Sequence, residues 1–107
     1  MQFTIEFHPD ALNQLKKIPK NIRKKIFKKI QDLSQNPYPH NVLKLKGTPN
    51  FYRIRHSDWR VIYTVQHSRL KVLIVKVGNR KEIYQALEKL PDIRTLLLEI
   101  LKDKEKE

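Results

Sequence analysis

No cysteine occurs among the 107 residues, which excludes disulfides and cysteine-ligated metals and is compatible with a reducing compartment. Glycine is almost as scarce, at two residues, and no glycine-rich phosphate loop appears. Long apolar runs are missing too. The longest is Leu96–Leu98, far short of the roughly 20 residues that span a bilayer. Met1–Asp10 has no apolar h-region, which predicts no signal peptide and, with the rest, a cytoplasmic protein with no membrane partner. Neither an acidic pair nor a nucleophile motif is present, and His8, His40, His56 and His67 are scattered without metal-ligand spacing. The chain is therefore expected to use no metal and no cofactor.

Acidic residues are few: 11 Asp and Glu stand against 23 Lys and Arg, a net charge of +12. The imbalance is concentrated. Residues 91–107 hold four cations and five carboxylates, so residues 1–90 carry +13. Positive charge at that density attracts polyanions and releases their counterions on contact, which points to nucleic acid.

Periodicity divides the chain into short elements. Residues 3–7 alternate as a strand. Pro9 suits a first helical position, Asp10 complements the dipole, and Ala11, Leu12, Leu15 and Ile18 form one apolar face before Pro19 interrupts. Ile22, Ile26, Ile30 and Leu33 mark a second helix. The other faces of this pair bear Lys16, Lys17, Lys20, Arg23, Lys24, Lys25, Lys28 and Lys29, with no acidic partner among them. They read either as a solvated surface or as a basic hairpin lying along RNA. Residues 34–41 form a loop by their Pro and Asn content. Strands follow at about 51–56, 59–66 and 70–77, and a helix starts near Arg80. Pro91 breaks it before a last amphipathic segment from Asp92 to about Lys104. The order βααβββα, with that extra C-terminal helix, indicates an α+β domain with a mostly antiparallel sheet.

The segment Tyr52–Val65 carries the chemistry. A two-residue turn at Ser57-Asp58 sets His56 opposite Trp59, Arg55 opposite Arg60, Ile54 opposite Val61, Arg53 opposite Ile62 and Tyr52 opposite Tyr63. Facing side chains share one side of a sheet, so Tyr52, Ile54, Val61 and Tyr63 fall on a core side and Arg53, Arg55 and Arg60 on the other. Like charges facing each other are destabilising, and a sheet tolerates them more readily where an anion sits between them; three arginines on one face are also compatible with a plain solvent-facing surface. Arg80 at a helix start opposes the dipole, unless both together receive an anion. Tyr84, four residues on, shares its helical face. Surrounding cations favour phenolate and make Tyr84 a conceivable general base, although packing on the sheet is the commoner fate of such a residue. His56 adjoins the arginine face and could help proton transfer. Trp59 either stacks a base or packs at the core's rim.

Three segments then resemble a known family: residues 44–55 (KLKGTPNFYRIR), residues 59–63 (WRVIY) and residues 77–84 (VGNRKEIY). They resemble the RelE branch of the RelE/ParE toxin superfamily, over about residues 1–88. The resemblance implies a microbial-ribonuclease-like fold, with a toxin domain at 1–90 and residues 91–107 as a C-terminal helical extension of it. It also implies a metal-independent endoribonuclease that enters the ribosomal A site and cuts messenger RNA through the ribose 2′-hydroxyl. Arg53 and Arg55 take the places of two strand cations, commonly lysines. Arg60 corresponds to the arginine opening the next strand, Arg80 to the arginine after Val-Gly, and Tyr84 to the family's tyrosine. RNA and ribosome contacts are expected from Lys16, Lys17, Lys20, Arg23, Lys24, Lys28, Lys44 and Lys46. The implied partners are a cognate, acidic and partly disordered antitoxin, and operator DNA only through the toxin–antitoxin complex.

This chain departs from the family's pattern by having arginine at both strand-cation positions. Arginine surrenders a proton far less readily than lysine, so a lysine general acid has no counterpart there. Two other functions fit the sequence: a ParE-like toxin acting on DNA gyrase, and a non-catalytic RNA-binding module. In residues 91–107 the apolar face of Ile93, Leu96, Leu97, Ile100 and Leu101 either packs on the protein's own core or offers a surface to the antitoxin or a second copy.

Overall fold

The computed structural model describes residues 2–45 and 50–88. Lys46 and residues 91–107, with the C-terminal helix expected there, lie outside them. The elements in chain order are β1 (Thr4–Phe7), α1 (Pro9–Lys16), α2 (Lys20–Asp32), β2 (Leu43–Lys44), β3 (Phe51–His56), β4 (Trp59–Gln66), a 3-10 turn (His67–Arg69), β5 (Lys71–Asn79) and α3 (Arg80–Glu88). Every element expected among these residues is present. Two short ones were not anticipated: β2, two residues long and too short to show a period of two, and the 3-10 turn His67–Arg69.

The strands form one mixed sheet in the order β1-β5-β4-β3-β2. β1 runs parallel to β5 and the other pairs are antiparallel. The α1–α2 pair supplies the crossover from the outer strand and covers one face. Pro9 opens α1, where the His8 ring Nδ1 accepts the Asp10 N–H at 3.2 Å. Pro19 ends the approach to α2 and stands as its N-cap.

Ala11, Leu15 and Ile18 on the first helical segment and Ile26, Ile30 and Leu33 on the second are buried against Ile54, Val61, Tyr63, Val65, Val72, Ile74 and Val77 of the sheet. Each side chain of this size contributes about 1.5–3 kcal/mol when fully buried. Leu12, expected on the same apolar face, is instead exposed. On the opposite face a smaller cluster joins Phe51, Leu73 and Val75, with Leu45 packed against it.

The register of β4 against β5 shifts between Ile62 and Tyr63. From Gln66 to Tyr63 the pairing follows one register; from Ile62 to Trp59 it is displaced by one residue of β5, leaving Val75 as the extra residue of a β-bulge. The bulge changes which β5 side chains face which side. Beyond it, the Val77 N–H is taken at 2.9 Å by the side-chain oxygen of Gln14 from α1.

Candidate active site

The β3–β4 hairpin builds the site. Ser57 opens its turn at φ 54°, in the left-handed region, and His56 pairs with Trp59 as the two-residue turn requires. The register then places Arg55 opposite Arg60 and Arg53 opposite Ile62, on the side away from α1 and α2. Continuing across β4, Arg60 pairs with Gly78 and Ile62 with Lys76. Two rows result. Arg55, Arg60 and Gly78 form one, and Arg53, Ile62 and Lys76 the other.

Arg60 is 5% exposed. Its Nη1 donates to the carbonyls of Ser57 at 2.7 Å and Trp59 at 3.1 Å, while its buried Nε has no hydrogen-bond partner. Arg53 is half-buried, its Nε likewise buried and unpartnered, and Arg55 is exposed. The ion pairs among the described residues are His8–Asp10, Lys28–Asp32 and Lys71–Glu6, and none involves Arg53, Arg55, Arg60 or Lys76. A buried guanidinium facing a second arginine is costly when no carboxylate compensates it. Electrostatically, an anion between the two arginines would offset that cost.

Helix α3 closes one end of the cation face. The Arg80 N–H donates to the carbonyl of Asp58 at 2.6 Å, tying the helix start to the hairpin turn. Asn79 caps the helix reciprocally. Its Oδ1 accepts the Glu82 N–H at 2.8 Å and its Nδ2 donates to Glu82 Oε1 at 3.1 Å. Gly78 sits opposite Arg60, where a Cβ would stand 3.1 Å from Glu82 Oε2 and 3.4 Å from Ile83 Cδ1. α3 therefore folds over the same side of the sheet as the arginines. Arg80 is exposed at its first position. Tyr84 lies one turn further along the α3 backbone, and its side chain is outside what is described.

The other tyrosines face away from this chemistry. Tyr38, Tyr52 and Tyr63 cluster with ring centroids 5.0 and 5.9 Å apart. The Tyr63 hydroxyl donates to the Pro37 carbonyl at 2.6 Å, and the Tyr38 hydroxyl stands 2.6 Å from His67 Nε2. Burial, then neighbouring Tyr38 and Tyr52, pushes the Tyr63 phenol well above its ordinary value; burial, then Tyr52, raises that of Tyr38. Neither is a candidate general base. His56 is held below its ordinary value, first by burial and then by Lys29 and Lys25. Trp59 is half-buried against the main core, the rim packing weighed from sequence.

Among the basic helical residues, Lys16, Lys17, Lys20, Lys24 and Lys28 are exposed and Arg23 is half-buried. The expectation that they lack acidic partners fails at Lys28, which pairs with Asp32 at 2.9 Å one turn on. Arg23 donates to the Lys16 carbonyl at 3.1 Å, and Lys29 donates to that of Arg55 at 3.1 Å, bringing α2 beside the hairpin. Lys44 pairs with Tyr52 and so stands on the opposite side of the sheet from Arg53. The reading of the sequence also passed over Lys76, which the bulge delivers to the arginine side.

A mixed five-stranded sheet with a helical pair on one face and a cluster of arginines on the other defines a small α+β domain. The family model described as the ParE toxin of type II toxin–antitoxin system, parDE, matches residues 5–84. A RelE1 protein of Methanocaldococcus jannaschii is 33% identical over 88 residues, covering 79% of this chain and 98% of its own length. The mRNA interferase toxin RelE of Escherichia coli is 30% identical over 88 residues, covering 78% and 92%. The archaeal RelE in the RelE–RelB complex of Pyrococcus horikoshii superposes with a TM-score of 0.67 at 29% identity, over 75% of this chain and 97% of that one. The chain belongs to the RelE/ParE toxin superfamily of type II toxin–antitoxin systems.

Proposed function

We propose that this protein is a metal-independent, ribosome-dependent endoribonuclease that cuts messenger RNA and is neutralised by a cognate antitoxin. One observation carries the reading: Arg60, buried and facing Arg55, has no carboxylate among its described ion-pair or hydrogen-bond partners. A phosphodiester supplies the missing negative charge. The E. coli relative is an mRNA interferase, which favours RNA as the source of that phosphate.

In this reading Arg53, Arg55, Arg60 and Arg80 stabilise the charge that accumulates on the phosphorane. Fixed cations do so without a metal. Tyr84, its phenol acidified by those cations, takes the proton from the ribose 2′-hydroxyl. The 2′-oxygen attacks the adjacent phosphorus, the 5′-oxygen leaves, and the upstream fragment ends in a 2′,3′-cyclic phosphate. Exposed cations on α1 and α2 hold the ribosome, and the protein acts in the cytoplasm. An acidic, partly disordered antitoxin complements the +13 of residues 1–90, in keeping with the RelE–RelB complex of the P. horikoshii relative. Operator DNA is engaged only through that complex, and residues 91–107 offer a surface for it or for a second copy.

The second reading, action on DNA gyrase, is favoured by the ParE description of the family model. A single 2′-deoxynucleotide at the cleaved position of a ribosome-bound message separates the two. The ribonuclease reading expects that substitution to abolish cutting at the position, with no transition metal needed at fixed magnesium. Cleavage that persists past the 2′-deoxynucleotide contradicts it.

A further inference from the structure

The site holds arginine where a leaving oxygen needs a proton, and the β-bulge supplies a lysine in another place. Without the bulge, the register at the Gln66 end of β4 would set Lys76 opposite Val61, on the core side. The displaced register sets it opposite Ile62, in the row of Arg53 and diagonal to Arg60. Arg53 and Lys76 then flank buried Ile62 across two strand spacings, about 10 Å between Cα atoms. The diagonal step from Lys76 to Arg60 is about 7–8 Å. Long side chains from both flanks thus stand on the same side of the sheet as Ile62.

Only one other lysine of the sheet's described strands lies on this side. Lys71 is bound to Glu6 at 2.9 Å, further along β5 beside the outer strand. Lys76 is half-buried and pairs with no carboxylate among the described residues. A lysine bent out of the core register by a bulge, into the row of Arg53 and diagonal to Arg60, is poorly explained by stability. Bulges recur where a strand must re-aim a side chain beside a reacting centre.

We propose that Lys76 is a catalytic residue of this site, the proton donor to the leaving 5′-oxygen. The assignment rests on the ribonuclease reading. The 2′-oxygen bonds to phosphorus and loses its proton to Tyr84. The bond from phosphorus to the 5′-oxygen breaks with its electron pair on oxygen, and the Lys76 ammonium gives that oxygen a proton and becomes a neutral amine. Solvent then returns Lys76 to its ammonium form and Tyr84 to its phenolate, so no net proton is consumed. Arg53, Arg55 and Arg60 remain charged throughout, as guanidinium requires.

The test uses the intact protein on ribosomes programmed with either of two messages. One carries the natural linkage at the cleaved position, and the other carries sulfur in place of the bridging 5′-oxygen. Sulfur leaves without protonation. Lys76→Met should slow cleavage of the natural linkage by about 100- to 10,000-fold and cut the sulfur linkage at close to the wild-type rate. Lys76→Arg, which keeps the charge but not the proton, should behave the same way. Recovery on sulfur also shows that the variants are folded. Wild-type rates for Lys76→Met on the natural linkage overturn the assignment, as does equal slowing of both linkages by Lys76→Arg. If wild-type protein cuts neither message, the ribonuclease reading fails first and the assignment falls with it.

Discussion

Arg60 is poorly explained by the fold, and the proposed function gives it a use. Its guanidinium is 5% exposed, faces Arg55 and leaves Nε unpartnered. Replacing a buried, uncompensated cation by an apolar side chain of similar length is often neutral or stabilising. Arg60→Met should therefore leave the midpoint of denaturant unfolding unchanged or raise it, while abolishing growth arrest. Loss of more than about 2 kcal/mol of stability would mean that its bonds to the Ser57 and Trp59 carbonyls are its purpose. Arg80→Ala and Tyr84→Phe should each abolish growth arrest without unfolding the protein. Removing one preorganised electrostatic donor costs about 100- to 1000-fold in rate. Full toxicity of either variant at equal abundance removes that residue from the mechanism.

At the level of elements, the position of α3 depends on its cap. Asn79 and Glu82 exchange hydrogen bonds, and the same helix start is tied to Asp58. Asn79→Ala should cost about 1 kcal/mol of stability and lower activity further than that loss explains, because α3 carries Arg80 and Tyr84. Activity that falls only in step with the folded fraction would show the cap to be purely structural.

The hairpin was legible in the sequence because a two-residue turn fixes parity: once Ser57 and Asp58 are the turn, every facing pair from His56–Trp59 to Tyr52–Tyr63 follows. The helices were legible from Pro9, Pro19 and the spacing of Ile22, Ile26, Ile30 and Leu33. Lys76 was not. Its side of the sheet depends on one inserted residue inside an unbroken Val/Ile/Leu run, where no glycine or proline marks the bulge. The pairing of Lys28 with Asp32 follows from their i,i+4 spacing on α2, which sets the two side chains one turn apart. The roles of Arg53, Arg55, Arg60, Arg80 and Tyr84 came from family resemblance joined to parity. Periodicity alone would have put three arginines on a sheet face without saying why.

For the whole molecule, charge and fold act together. The helical pair buries one face of the sheet, and its outer surface turns exposed lysines to solvent. The opposite face carries Arg53, Arg55 and Arg60. On the proposed function, such an arrangement would draw the protein onto RNA by long-range attraction and leave the choice of phosphate to the short row between β3 and β5. On that same proposal, the ribosome would present the message in the geometry that the row requires. The most direct measurement is a map of message 5′ ends on programmed ribosomes incubated with purified protein, with and without Arg80→Ala. The account predicts new 5′-hydroxyl ends confined to the A-site codon, absent with the variant. No new ends, together with inhibition of gyrase supercoiling by the same preparation, would contradict it and assign the protein to the other branch of its superfamily.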